Sequence, residues 1–78
     1  MKESLKLAVE MAKRGESEGF GTIYRETCSD VYFRARLMLG NRGEARDLVR
    51  QVYLVVFRTI GTLQDASRME KWLYTVLY

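Results

Sequence analysis

The sequence predicts an all-α fold, a small bundle of about four helices. Three observations predict it. Apolar residues recur three and four positions apart rather than in alternation. The β-branched residues sit at those same helical positions, so strand signals are poor. No proline interrupts the segments, and Gly15, Gly40 and Gly61 fall where the periodic runs end.

The first segment runs from Lys2 or Ser4 to Arg14. Leu5, Ala8, Val9 and Ala12 form its stripe, and Gly15 is its stop. The second opens at Ser17, a favoured N-cap type. It holds Phe20, Ile23, Tyr24, Thr27, Val31, Ala35, Met38 and Leu39 on one face before Gly40. Gly19 and Gly21 weaken its first turns by roughly 1 kcal/mol each relative to Ala. Ser29 and Asp30 mark a candidate kink in its middle. The third segment runs from Arg42 to about Ile60 and stops at Gly61. Asn41 is its N-cap, and Glu44, three residues on, is placed to reach back to the cap backbone. Ala45, Leu48, Val49, Val52 and Val56 define its buried face. Gly61 to Ala66 read as a loop. Ser67-Arg68-Met69-Glu70 then fits the S-x-x-E capping box, with Ser67 at the N-cap of a fourth helix. Met69, Trp72, Leu73, Val76 and Leu77 give that helix an apolar face. The pattern is still running at Tyr78, as expected of a fragment or a chosen domain boundary. Residues 1–78 read as one helical domain.

A chain of 78 residues buries only about 60 to 65% of its unfolded surface, so its core is thin. Its hydrophobic fraction of 47% and charged fraction of 29% are those of a soluble globular domain. No apolar run approaches the roughly 20 residues that span a bilayer. Met1, Lys2, Glu3 and Ser4 lead into an amphipathic charged segment, unlike a signal peptide. The expectation is a cytoplasmic protein with no membrane partner. The net charge of +3 and pI of about 9.2 allow phosphate contacts without demanding them. Nine of the 13 basic residues are arginine, which suits bidentate contacts to carboxylate or phosphate. The one cysteine, Cys28, excludes an internal disulfide. It lies on the apolar face of its segment and reads as a structural thiol. There is no histidine, which removes the commonest general base and transition-metal ligand. Clustered carboxylates and a Gly-rich phosphate loop are also lacking, so the reading is of a non-enzyme with no cofactor and no metal.

The third segment carries a second stripe. Asp47, Arg50, Gln51, Leu54 and Arg58 recur at helical spacing beside the buried face, and Val55 adjoins Leu54. Such a mixture is either a protein-binding face or an ordinary solvated one, and periodicity does not choose. Trp72 reads as a core anchor, and Tyr53 and Phe57 as the edge of the core. Arg34 and Arg36 read as solvated, while Arg42 and Arg46 have Asp47 and Glu44 nearby to pair with. Lys71, Tyr74 and Tyr78 share one exposed side of the last helix, either for binding or packed at the edge of the bundle.

These residues also resemble a known family. Phe20, Ile23 and Tyr24 look like the opening F-x-x-[LI]-Y of the second conserved region of bacterial sigma factors, in particular the extracytoplasmic-function type. Asp30, Val31, Tyr32, Arg34 and Ala35, closing at Leu39 and Gly40, look like its next helix. Glu44, Ala45, Asp47, Leu48, Val49, Val52, Tyr53 and Leu54 look like its D-A-E-D-L-V-Q-E-V-F-L, and Trp72, Leu73, Tyr74 and Val76 like its W-L-Y-x-I. The four pieces stand in order, from Phe20 to Leu77, over about three quarters of the chain.

In that family the third helix docks on the coiled-coil clamp of RNA polymerase, and the loop and last helix meet the non-template strand of the melted minus-ten element. The resemblance therefore implies that Asp47, Leu48, Arg50, Gln51 and Leu54 touch RNA polymerase core. It implies that Thr62, Gln64, Ser67, Arg68, Lys71, Tyr74 and Thr75 touch single-stranded promoter DNA. An anti-sigma factor is a further candidate partner. The family's second DNA-reading domain has no room in this chain. Two departures stand out. The family usually has acidic residues where Arg46 and Gln51 stand, and Gln at Arg50. That exchanges negative for positive charge on the clamp face, at roughly 0.2 to 1 kcal/mol per lost exposed ion pair. It also often has basic residues at Thr75 and Tyr78, so phosphate attraction here is weaker. The competing reading is a helical protein-interaction domain that has lost DNA recognition.

Overall fold

The computed structural model describes residues 3–78. The alternative helix start at Lys2, and Met1 with it, lie outside them. Four α-helices follow in order: α1 (Glu3–Lys13), α2 (Ser17–Met38), α3 (Arg42–Thr59) and α4 (Met69–Leu77). Two short 3-10 turns, Ile60–Thr62 and Ala66–Arg68, connect α3 to α4. Among the described residues there is no strand, as the helical spacing predicts, and no helix long and apolar enough to cross a membrane.

Gly15 turns the chain from α1 into α2. Its φ of 82° is the left-handed setting that favours glycine at a helix C-terminus. There the Gly15 N–H donates to the Ala12 carbonyl and the Glu16 N–H to the Met11 carbonyl. The two helices then run antiparallel, with Gly19 against Ala8 and Ala12 at one end and Ser4 donating to Glu26 at the other. A Cβ on Gly19 would stand 2.6 Å from both the Ala12 nitrogen and the Ala8 oxygen. Gly19 is therefore where the two backbones meet, and its lost helix propensity is offset by close packing.

Caps follow the sequence in one place and depart from it in others. Asn41 caps α3, its Oδ1 accepting from the Glu44 N–H at 3.1 Å. Ser17 is already inside α2, and the preceding Glu16 gives no side-chain cap. Ser67 does not cap α4 either. Asp65 takes the Ser67 N–H and hydroxyl at 3.0 and 2.7 Å. This Asp-initiated turn makes Ala66–Arg68 a 3-10 turn, and α4 starts at Met69 without a side-chain cap. Gly40 and Gly61 end their helices without positive φ. Leu39 leaves α2 in an extended conformation, and Gly61 sits inside the first 3-10 turn. The candidate kink at Ser29 and Asp30 lies within unbroken helix.

One core runs through the bundle. Val9, Ile23, Val31, Val56, Met69 and Leu73 are fully buried at its centre. Alanines at 8, 12, 35, 45 and 66 let the helices approach around them. Part of the expected α2 stripe is outside it: Tyr24 and Met38 are 45% and 44% exposed. Phe33 and Leu37 are more exposed still, at 62% and 73%. Tyr24 lines an open groove beside α3; for Phe33 and Leu37 the cause is length. At 1.5 Å per residue the 22 residues of α2 span about 33 Å, twice the reach of the 11-residue α1. Phe33 and Leu37 lie about two and three turns beyond Glu26, where α1 no longer covers α2.

Two glycine substitutions should therefore have opposite signs. Gly19→Ala should lose about 1 to 3 kcal/mol to overpacking against backbone. At Gly21 a Cβ meets only the mobile end of Arg25, at 3.1 Å, so Gly21→Ala should gain up to about 1 kcal/mol. Urea denaturation of the two variants checks both.

Candidate functional site

Three surfaces hold the residues singled out by sequence. The first is the outer side of α3. Ala45, Val49, Val52 and Val56 turn inward, and the 100° step of the helix then points Asp47, Gln51 and Leu54 away from the core. Leu54 and Val55 are 50% and 42% exposed. Asp47 and Arg50 pair one turn apart at 3.8 Å, both about three-quarters exposed, a geometry worth little energy. Leu48 differs from the others, being half-buried and packed against the core.

The second surface is a groove of about 580 Å³ between α2 and α3. Tyr24, Cys28 and Tyr32 line it from α2, and Val49, Tyr53 and Phe57 from α3. Arg46, Arg50 and Leu54 stand along it. Tyr53 is not core edge but core, at 4% exposure. The Thr27 hydroxyl donates to the Ile23 carbonyl at 2.7 Å, so its oxygen accepts from the Tyr53 hydroxyl at 2.5 Å. That bond crosses from α3 to α2 and satisfies a buried phenol. Phe20 meets Phe57, and Tyr24 meets Tyr53, edge to face at 4.9 Å. Cys28 is a partly exposed free thiol on this wall, not the fully buried group its position predicts.

The third surface is a polar groove of about 490 Å³ where the 3-10 turns meet α4. It brings together Thr62, Gln64 and Arg68 with Trp72 and Asp65. Trp72 is half-buried: it packs on the core and also lines this groove. The signal was its spacing, four residues after Arg68 and hence on the same flank. Asp65 was missed by the sequence reading. Its hydrogen bonds from the Ser67 hydroxyl and backbone N–H hold its carboxyl below the usual range. Those bonds use Oδ1, and Oδ2 has no partner among the described residues.

The remaining expected residues are dispersed. Ser67 is tied to Asp65. Lys71 and Thr75 sit on the outer face of α4, the Thr75 hydroxyl donating back to the Lys71 carbonyl at 3.0 Å. Tyr74 leaves the group. Being two residues from Trp72, it projects about 160° away and reaches α2 instead. Its hydroxyl donates to Asp30, and the Arg34 guanidinium lies 4.1 Å over its ring. Partial burial, then the bond to Asp30, raise the Tyr74 hydroxyl above the usual value. Arg34 is correspondingly not simply solvated.

Fold and surfaces together define a small helical domain with separate open faces on α3 and at the start of α4. No family model matches the chain, and no solved structure matches it. A curated relative does. The chain is 33% identical over 69 residues to the ECF RNA polymerase sigma factor BldN of Streptomyces coelicolor. The match covers 87% of this chain and 26% of the relative, so the chain spans about a quarter of that protein. The chain carries an extracytoplasmic-function sigma factor-like domain.

The buried phenol at the junction of α2 and α3 has a pH signature. Burial pushes the Tyr53 hydroxyl from 10.0 up to about 12. The protonated form is thus favoured by folding. Its stabilisation is complete below pH 10 and is lost as pH rises through 12. Between pH 9 and 12 the chain should lose about 2 kcal/mol more stability than Tyr53→Phe, as read by denaturant unfolding at each pH.

Proposed function

We propose that this domain serves transcription initiation by binding RNA polymerase core through the outer side of α3 and melted promoter DNA through the α4 groove. Its role is one of binding, without catalysis. The observation that carries the reading is the 33% identity to a sigma factor across 87% of the chain, together with the open mixed face of Asp47, Arg50, Gln51 and Leu54. Leu54 supplies apolar area at the centre of that face, and the charged residues around it supply register. Leu48 supports the face from below. An anti-sigma factor would compete for the same side of α3. Such a role places the protein in the cytoplasm.

On the DNA side, Arg68 and Lys71 would track phosphates of the non-template strand at the minus-ten element. Trp72 offers an aromatic edge in the groove, where stacking is worth about 1 to 3 kcal/mol per base. Asp65, held ionised, repels phosphate and accepts hydrogen bonds only. It suits a base that presents an exocyclic amine, adenine, cytosine or guanine but not thymine, flanked by Thr62 and Gln64. Ser67 serves by fixing Asp65. Thr75 lies at the margin, and Tyr74, engaged by Asp30 and Arg34, acts in positioning α4 rather than in stacking.

Leu54→Glu should abolish co-purification with polymerase core while circular dichroism is unchanged, because the side chain is half exposed. Undiminished capture would remove α3 from the reading. Arg68→Ala and Lys71→Ala should each weaken binding of a labelled single-stranded minus-ten oligonucleotide and flatten its salt slope by about 0.7 to 1. Absence of binding by the unaltered chain at low salt would favour the interaction-domain alternative, in which DNA recognition has been lost.

A further inference from the structure

The groove between α2 and α3 is an apolar trough with an unbalanced charge. Tyr24, Cys28, Tyr32, Tyr53 and Phe57 form its walls, and among the described residues the only charged ones lining it are Arg46 and Arg50. No carboxylate of the described residues lines it. Arg46 has no acidic side chain within ion-pair distance among the described residues, and Arg50 has only the long, exposed contact to Asp47. Both arginines are exposed and lie four residues apart on α3, one turn along the same flank.

We propose that this groove receives an amphipathic helix carrying carboxylates, whose apolar row enters between Tyr24 and Leu54 and whose acidic flank meets Arg46 and Arg50. The proposal rests on the reading of α3 as a protein-docking face and names the chemistry of what docks there. It is independent of the DNA reading. Three features select such a partner. The walls are helices whose backbone groups are already hydrogen-bonded internally, so an extended strand finds no edge to join. The lining on α2 runs from Tyr24 to Tyr32 and on α3 from Arg46 to Phe57. That is about 12 to 17 Å, the reach of anchors at i, i+3, i+4 and i+7 on a partner helix. The guanidinium pair, offered by its own chain only the long Arg50–Asp47 contact, takes carboxylates from the partner in the bidentate geometry that arginine favours.

The chain contains its own reporter. Cys28 is the only cysteine, is partly exposed and lies on the groove wall, so an occupant must slow its alkylation. The full chain is titrated with a fluorescent helical peptide bearing Leu and Phe at i, i+3, i+4 and i+7 and Glu on the flank, and with the same peptide carrying Lys in place of Glu. The Glu peptide should bind about tenfold more tightly than the Lys peptide. At saturation it should slow iodoacetamide modification of Cys28 several-fold. The double variant Arg46→Glu with Arg50→Glu should reverse the preference. Equal binding of both peptides, or an unchanged Cys28 rate at saturation, overturns the proposal. So does protection of Cys28 in the chain alone as its concentration rises, since a second copy would then occupy the groove. Failure here is separable from failure of the polymerase reading, because peptide binding is measured on the chain alone and polymerase capture on Leu54→Glu.

Discussion

The rotation of α3 about its own axis is the constraint on which every surface of this domain depends. Each residue turns the helix by about 100°, so a slip of one position would carry Leu54 toward the core and Val52 toward solvent. Two devices set the angle. Ala45, Val49, Val52 and Val56 form a narrow buried stripe, and Tyr53 beside it bonds Thr27 on α2. The stripe alone leaves some freedom, because small aliphatic side chains pack in several ways. A buried phenol with one available acceptor does not. Once that bond is made, Asp47, Gln51 and Leu54 must face outward, while Arg46, Arg50 and Phe57 must border the groove.

The rest of the bundle supports this setting with few residues. α1 lies on the first half of α2 through Gly19, Ala8 and Ala12, where backbones nearly touch. Such close approach builds a core with little volume, which a chain of 78 residues requires. At the other end, Tyr74 ties α4 to α2 through Asp30 and lies beneath Arg34. Asp65 fixes the turn into α4 through Ser67. The tie and the turn hold the α4 groove at a set distance from α3, so the two faces keep their spacing.

Helix order, the Asn41 cap and the inward stripe of α3 were legible in the sequence, because each depends on residues within one or two turns. The start of α4 was misread. Ser67 and Glu70 match a capping box, but Asp65, two residues earlier, binds the same serine first, and a spacing rule weighs no such competitor. The roles of Trp72 and Tyr74 exchanged emphasis because they depend on which neighbours flank α4. Asp30, 44 residues away, and Arg34 claim Tyr74, and no local pattern encodes that. The exposure of Phe33 and Leu37 follows from the unequal lengths of α1 and α2, which periodicity within α2 cannot express. The α2–α3 groove is likewise a property of two helices together. Its arginines could be seen as departures from the family pattern, but not as neighbours of an apolar trough.

The account requires that one side of α3, and not the exposed end of α2, be the surface a large partner covers. Amide hydrogen exchange of the chain with and without RNA polymerase core tests this most directly. Slowed exchange is expected across Arg46 to Val55, with the stretch around Phe33 and Leu37 unchanged. Protection confined to Phe33 and Leu37, with the outer side of α3 exchanging as in the free chain, would contradict it.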